Sequence, residues 1–442
     1  MLTAEENQFI TRTGPGTPMG ELWRRFWVPA FLSNELAEPD CPPIRIKLLN
    51  EDLVAWRDTS GKVGLIAANC PHRGASLFFG RNEEEGLRCV YHGWKFDTSG
   101  ACMDMPNEPP ESNFKHKIKA NAYPCVEAAG IIWTYMGPAS ETPALPDLEW
   151  LAVPDDQRLV GKFLVDSNFL QALEGDIDNS HVPFAHGLVT EPGPPFIERI
   201  KAAGALRQAQ QQPVRTVGIN TNLLFAQDIT PRGTTQETDY GIMMGWRRDA
   251  DPENYYWRIN HWMLPSHVLL ASPPGNNMTC NSRVPMDDEH SWHFRVSWNS
   301  SRPITEAERE YVLNSGINYP ELEPGTFRPK ANKDNDYLID REWQRTGSVT
   351  GIKGTTQQDR AVTESMGAIY DRTKEHLGTS DTIIIAMRRK LSKTTRELQA
   401  GREPYAASHP DVYRRRGVDM LLERSKHWDV EAVDLMAVGV LS

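Results

Sequence analysis

Hydrophobic and polar positions follow different rhythms along this chain, and the changes of rhythm divide it. Between residues 44 and 67 the runs Ile44-Arg-Ile-Lys-Leu-Leu, Leu53-Val-Ala-Trp-Arg and Val63-Gly-Leu-Ile-Ala are separated by a polar step at Asn50-Glu-Asp and a turn at Asp58-Thr-Ser-Gly-Lys. Short strand-like runs between turn residues predict a β-meander. Lys95-Phe-Asp-Thr-Ser-Gly predicts a hairpin, and Ile131-Ile-Trp-Thr-Tyr-Met a strand that closes this small β-domain. Ahead of it, Glu21-Leu-Trp-Arg-Arg-Phe-Trp-Val predicts a short amphipathic helix ending before Pro29. The Pro-rich run from Pro138 to Pro154 reads as a seam, giving a domain over 1–150 and a second over 151–442.

The second domain opens on a helix, since Asn168 with Gln171 three residues on resembles a capping box. Strand-like runs return at Thr221-Asn-Leu-Leu-Phe-Ala, Tyr255 to Met263, His267-Val-Leu-Leu-Ala and His293-Phe-Arg-Val-Ser-Trp, predicting an antiparallel sheet. Residues 303–350 are polar and irregular, as a covering segment would be. Helical period returns from Gln357 to about Arg372, with Ala361, Val362, Met366 and Ile369 as the apolar positions, and again from Asp381 to about Gln399. The fold class is α+β.

Composition narrows the function. A chain of 442 residues exceeds what one hydrophobic core usually organises. Its 48 Lys and Arg against 59 Asp and Glu leave a net charge of −11, which argues against nucleic acid or an anionic membrane as the main partner. The first 20 residues lack the pattern of a secretory signal, and no apolar run reaches the 18 residues of a membrane span. A cytoplasmic location is expected. The cysteines 41, 70, 89, 102, 125 and 280 do not form a disulfide framework in such a chain, and Cys41, Cys102, Cys125 and Cys280 are assigned to packing.

Cys70 and Cys89 stand in a different context. Cys70-Pro-His72-Arg-Gly and Cys89-Val-Tyr-His92-Gly each offer one sulfur and one nitrogen, with 16 residues between His72 and Cys89. Two thiolates and two imidazoles bind tetrahedral zinc or a two-iron cluster with His on one iron. Zinc fingers place their His pair on a helix after both Cys, so the two-loop arrangement fits the mixed cluster better. A second constellation follows the capping box. Glu174, Asp178 and His181 fall at i, i+4 and i+7 on one helical face, and Pro183 with Gly187 predicts a break that brings His186 back beside His181. Two imidazoles and a carboxylate suit a first-row metal and leave positions open for dioxygen on iron.

The paired loops resemble the Rieske motif, and Asp178-x2-His181-x4-His186 resembles the iron motif of Rieske non-heme iron oxygenases. Gly14-Pro-Gly-Thr-Pro-Met-Gly and the segment Gln358 to Arg372 are similar to the phthalate dioxygenase group, so the resemblance spans nearly the whole chain. It implies a Rieske 2Fe-2S cluster on Cys70, His72, Cys89 and His92, and a catalytic domain whose curved antiparallel sheet is covered by helices in the helix-grip manner. The third iron ligand has to come from afar, with Asp334, Asp336, Asp340, Asp359 and Asp371 as candidates. Asp359 is selected for its place near the start of a helix read as apolar-faced and for its Gln358-Asp359 context. The resemblance also implies that Asp178 bridges a cluster His and an iron His across a subunit boundary; support within one chain is the alternative.

The implied activity is oxygenation of an aromatic carboxylate by dioxygen, in a homotrimer or a multiple of it. Electrons would come from NADH through a separate flavin and iron-sulfur reductase, since no Gly-rich dinucleotide fingerprint is present. Arg207, Arg247, Arg248 and Arg258 are candidate partners for a substrate carboxylate. Oxidative O-demethylation of a methoxylated aromatic acid uses the same ligands. A Rieske electron carrier with an inert second domain, or a zinc protein at both sites, are the non-oxygenase readings; iron stoichiometry and colour separate them.

Overall fold

The computed structural model describes residues 2–210, 221–273 and 275–439. Contacts divide the chain into two units, one of Arg12–Leu145 with Val284–Asp288, the other of Met1–Thr11, Pro146–Arg283 and Glu289–Ser442.

The strands of the first unit are β1 (Trp27–Leu32), β2 (Ile44–Leu48), β3 (Glu51–Arg57), β4 (Val63–Ala67), β5 (Arg81–Glu83), β6 (Gly86–Arg88), β7 (Lys95–Phe96), β8 (Cys102–Asp104), β9 (Cys125–Ala128) and β10 (Ile131–Tyr135). They form antiparallel sheets in the orders β1-β10-β9, β2-β3-β4 and β5-β6-β7-β8. The meander read between 44 and 67 is β2-β3-β4, its first turn made by Leu49 and Asn50 at φ of 47° and 64°. Residues 21–28 depart from the expected helix. A helix occupies Pro18–Trp23, with the Thr17 side chain accepting from the Gly20 amide, and Trp27 already belongs to β1. Trp23, Phe26 and Trp27 are all buried, so the run has no single apolar face to give a helical period. Pro29 is accommodated where the β1-β10 register shifts.

The second unit holds β11 (Arg158–Val165), β12 (Arg232–Glu237), β13 (Gly241–Asp249), β14 (Asn254–Met263), β15 (His267–Leu270), β16 (Met278–Pro285), β17 (Ser291–Trp298) and β18 (Val418–Glu423). The sheet runs β11-β17-β16-β15-β14-β13-β12, with β18 on the free part of β14. The helix Phe169–Ile177 covers one face of it. Ala172 clusters with Phe163 and Val165 of β11, Trp246 of β13 donates to the Ile177 carbonyl, and Asn281 and Arg283 of β16 both bond Asp176. Because side chains alternate along a strand and paired residues share a face, Arg258 (opposite Trp246) and His293 (opposite Phe163) point to this same side.

Two elements differ from expectation. Thr221–Gln227 is helix rather than strand. Its short apolar run is ambiguous by period alone, and packing decides it: a Cβ on Gly204 would lie 2.2 Å from that of Ala226, so glycine permits helix Phe196–Gln210 to press against it. The helix expected from Gln357 spans Thr355–Ser365 and stops before Gly367, whose φ is +94°. Its buried face is polar, comprising Thr356, Gln357, Gln358, Arg360, Thr363 and Glu364, whereas Val362 and Met366 are exposed. Hydrogen bonding, not apolar burial, seats this helix. The irregular span 303–350 also contains helices at Glu306–Leu313 and Arg341–Thr346.

Candidate metal centres

The two Cys-His loops are built alike. The Cys70 amide donates to Ala75 O at 2.8 Å and Gly74 N to Cys70 O at 2.9 Å; the Cys89 amide donates to Trp94 O at 2.8 Å and Gly93 N to Cys89 O at 3.0 Å. Gly74 and Gly93 close the turns at φ of 76° and 78°, a conformation that favours glycine. Equal turns present equal ligands: both cysteines are 2% exposed, while the imidazoles of His72 and His92 lie outward with ring centroids 4.5 Å apart. Trp94 stacks on His72 at 4.3 Å. Burial pushes the Cys70 thiol up to about 11, with Cys89 adding to the shift, so the proton on Cys70 would leave when a metal displaced it. Among the described residues, only His181, His186 and Asp359 bring three metal-binding atoms within 4.8 Å of one another. The four loop ligands therefore do not converge on one tetrahedral ion. A pair of buried sulfurs beside a pair of outer nitrogens fits a two-iron cluster.

The second centre begins with a broken helix. Phe169–Ile177 starts with Asn168 accepting from Leu170 N, but Gln171 does not complete a capping box; its amide bonds Thr363 O, Gly367 O and Tyr370 N. The helix ends at Ile177, so Asp178 and His181 are not on its face as expected. The Asp178 carboxylate accepts from Ser180 N and Oγ, both at 2.7 Å, and from His181 N at 3.3 Å. An aspartate that bonds the backbone two residues ahead competes with helix formation, so the chain turns before Pro183. A short helix, Val182–Ala185, then carries His181 at its start and His186 at its end.

This places the two imidazoles 5.1 Å apart at 78°, with both Nε2 atoms directed at Asp359. Asp359 Oδ1 lies 3.5 Å from His181 Nε2 and 3.1 Å from His186 Nε2. Behind the rings, His181 Nδ1 donates to Asp178 Oδ2 at 3.1 Å and His186 Nδ1 to Gln358 Oε1 at 2.7 Å. The Gln358 amide is oriented by its own donation to Ile352 O at 2.8 Å. Both Nδ1 positions therefore carry a proton, which leaves Nε2 of each ring as the atom that would bind an ion. Burial opposes charge on His181, but Asp178 and Asp359 outweigh it and push its pKa up to about 10. Burial likewise opposes ionisation of Asp359, and the neighbouring imidazoles hold its carboxyl far below the usual range. The donor set of two imidazoles and one carboxylate, half-buried, fits a divalent iron with open positions.

Of the other candidate acids, Asp336 sits in the helical turn Lys333–Leu338 at φ of 50°, and the remaining three serve elsewhere. Asp334 pairs with Arg328, Asp340 caps a helix through Trp343 N, and Asp371 binds Thr373 and Lys374. Glu174 is neither solvated nor beside the ligands; it sits in a buried ion-pair group with Arg372 at 2.9 Å and Arg388 at 2.6 Å, and Arg388 continues to Glu375. Of the candidate arginines, Arg207 falls on the helix Phe196–Gln210 and its side chain lies outside what is described. Arg248 is fully buried and spent on Asn179 Oδ1, Asn179 O and Asp228 O, which fixes the ligand loop rather than a substrate. Arg247 stacks on Tyr255 on the opposite face. Arg258 lines a cleft shared with Arg295, Thr279, Ser297 and Asp419 on the face that bears the centre. Gln358, Asn179 and Asp176 were not anticipated from the sequence. Only Gln358 left a trace there, as an amide beside the chosen aspartate.

Comparison with known proteins agrees with this anatomy. Residues 26–124 match the Rieske [2Fe-2S] domain and residues 134–437 the LigXa C-terminal domain like family. The 3-chlorobenzoate-3,4-dioxygenase oxygenase subunit of Comamonas testosteroni is 37% identical over 93% of both chains. The phthalate 4,5-dioxygenase oxygenase subunit of Pseudomonas putida is 35% identical over 91% of this chain and 88% of its own. In fold, the chain is similar to a Pseudomonas putida CBB5 NdmA QL mutant with theobromine, at TM-score 0.57 and 19% identity over 92% of this chain and 98% of that one. No helix among the described residues is long and apolar enough to cross a membrane. With its Rieske domain, its large helix-covered antiparallel sheet and relatives of nearly full length, the chain belongs to the Rieske non-heme iron oxygenases, as an alpha-type oxygenase component resembling phthalate dioxygenase.

Proposed function

We propose that this oxygenase adds oxygen from dioxygen to the ring of an aromatic carboxylate. The observation that carries the reading is the convergence of His181 Nε2, His186 Nε2 and Asp359 Oδ1 with each imidazole held from behind. Iron bound there would supply dioxygen activation beside the substrate, and a cluster on Cys70, His72, Cys89 and His92 would supply electrons one at a time. The protein's part is placement. Asp178 and Gln358 orient the imidazoles, and Arg248 holds the loop that carries them through Asn179. Arg258 and Arg295 line one cleft on the same sheet face and offer guanidiniums to a carboxylate, beside Glu308 and Asp419, the latter 3.8 Å from Arg258. The names of the 3-chlorobenzoate and phthalate relatives support that substrate class.

Electrons are taken to come from NADH through a separate flavin and iron-sulfur reductase. Asp178 is assigned the bridge between an iron ligand and a cluster ligand of a neighbouring subunit in a homotrimer; its side chain is 17% exposed and already accepts from His181 Nδ1, the iron-ligand end of that bridge. The test is oxygen uptake and product formation with NADH and an added reductase, across benzoates, phthalates and methoxylated aromatic acids. Ring hydroxylation is the expected outcome. Formaldehyde release would reassign the chain to O-demethylation, and no acid-dependent oxygen uptake at all would overturn the reading.

A further inference from the structure

His293 is buried to 1% exposure on β17, yet neither ring nitrogen has a hydrogen-bond partner. A neutral imidazole always carries one N–H and one lone pair, and leaving either unmet away from water costs about 1–3 kcal/mol. Buried polar groups in folded proteins are nearly all satisfied, so an unmet pair calls for a reason. Packing alone does not supply one. The ring lies 4.5 Å from Phe163, its partner across the β11-β17 ladder, in surroundings where Val165 is also fully buried and a phenyl ring would meet the same need.

Its position does supply a reason. His293 points to the sheet face covered by the ligand-bearing helix, and Asp359 is among the charged groups it senses, together with Arg283, Arg295 and Arg360. Arg295, two residues along β17 and therefore on the same face about 7 Å away, lines the cleft with Arg258. The imidazole thus shares one sheet face with the arginine-bearing cleft, of whose lining it is not part, and with the helix that leads to the candidate iron centre. Burial holds it neutral, with one N–H to donate and one lone pair to accept.

We infer that His293 is a substrate-contact residue, its ring N–H donating to a carboxylate oxygen of the bound aromatic acid. This rests on the aromatic-acid reading above. Because the bond replaces an unmet donor, substrate gains from it without displacing another partner, and a ring bound without it would be held less firmly beside the iron site.

The experiment compares wild type with His293→Phe, His293→Gln and His293→Met, each loaded with cluster and iron. Affinity for 3-chlorobenzoate and phthalate is read by equilibrium dialysis, and the oxygen consumed is partitioned between product and peroxide. His293→Phe is expected to bind at least about tenfold more weakly and to release more peroxide per oxygen, with unchanged cluster absorbance and iron content. Gln and Met have similar bulk and differ in hydrogen bonding, so Gln should bind more tightly than Met even if the Phe variant does not fold. Equal affinity of Gln and Met, or wild-type affinity in Phe, overturns the inference while leaving the aromatic-acid reading intact. Failure of wild type to bind or turn over any aromatic acid overturns both.

Discussion

Gln358 Oε1 accepts from His186 Nδ1 at 2.7 Å, and the same amide donates to Ile352 O, so a neutral side chain fixes the tautomer of one candidate iron ligand. Removing it should free the ring to rotate. Gln358→Leu is expected to lower iron affinity about 10- to 100-fold, the range seen when such supporting partners are lost. Iron retained after dialysis against a weak chelator measures this, with cluster absorbance as the internal control. Undiminished retention would remove Gln358 from the site.

Asp359 is the only candidate acid that reaches both imidazoles. Asp359→Ala should reduce the iron content from about three to about two per chain, the cluster alone remaining. Metal analysis beside the visible spectrum distinguishes this from general unfolding. A variant that still holds about three irons and turns over would place the third ligand elsewhere.

The group around Glu174 predicts a stability effect. Glu174 answers two guanidiniums, Arg372 and Arg388, in surroundings where Arg372 is fully buried. Those arginines overcome the burial and keep its carboxyl below the usual range. Glu174→Gln leaves the cations short of a counter-charge and should destabilise the catalytic unit by about 3–5 kcal/mol, read by urea unfolding of that unit. A change below about 1 kcal/mol would mean that water reaches the group.

Two histidines outside the site predict an acid limit. Burial lowers both His261 and His267 to about 4. Between roughly pH 6.5 and 4 the unfolded chain binds their protons and the folded chain does not, so stability is present above 6.5 and is lost as pH falls toward 4. Each contributes up to about 3 kcal/mol over that window. Urea midpoints should fall through it, and His261→Gln and His267→Gln should each flatten the slope. Parallel slopes in the variants would assign the acid limit to other groups.

What could be read in advance followed from how local the signal was. The loops at Cys70 and Cys89 are short, each with its own glycine, and their chemistry was visible as spacing. His181, His186 and Asp359 could be named together because a pair five residues apart and an aspartate beside an amide form recognisable contexts. The break at Asp178 was missed, because an aspartate that bonds the Ser180 amide looks the same in sequence as one on a helical face. The helix bearing Asp359 was located, but its face was misjudged: Thr363 and Glu364 are buried through partners nearly two hundred and about thirty residues away, Gln171 and Tyr337. Periodicity reports burial only when burial is apolar. Thr221–Gln227 failed for the related reason that a seven-residue run is too short to show which period it follows.

The helix Phe169–Ile177 is clamped near its end by Glu174 and Asp176, through three arginines and Asn281, while the ligands sit just beyond it on a turn and a single short helical segment. It behaves as a fixed post with a short jointed arm. If a bound ion adjusted its ligand distances, the arm from Asp178 to Gly187 would be the part free to follow, since the ion pairs of Glu174 and Asp176 hold the post. For the two imidazoles, that adjustment would fall on about ten residues and leave the sheet behind them undisturbed.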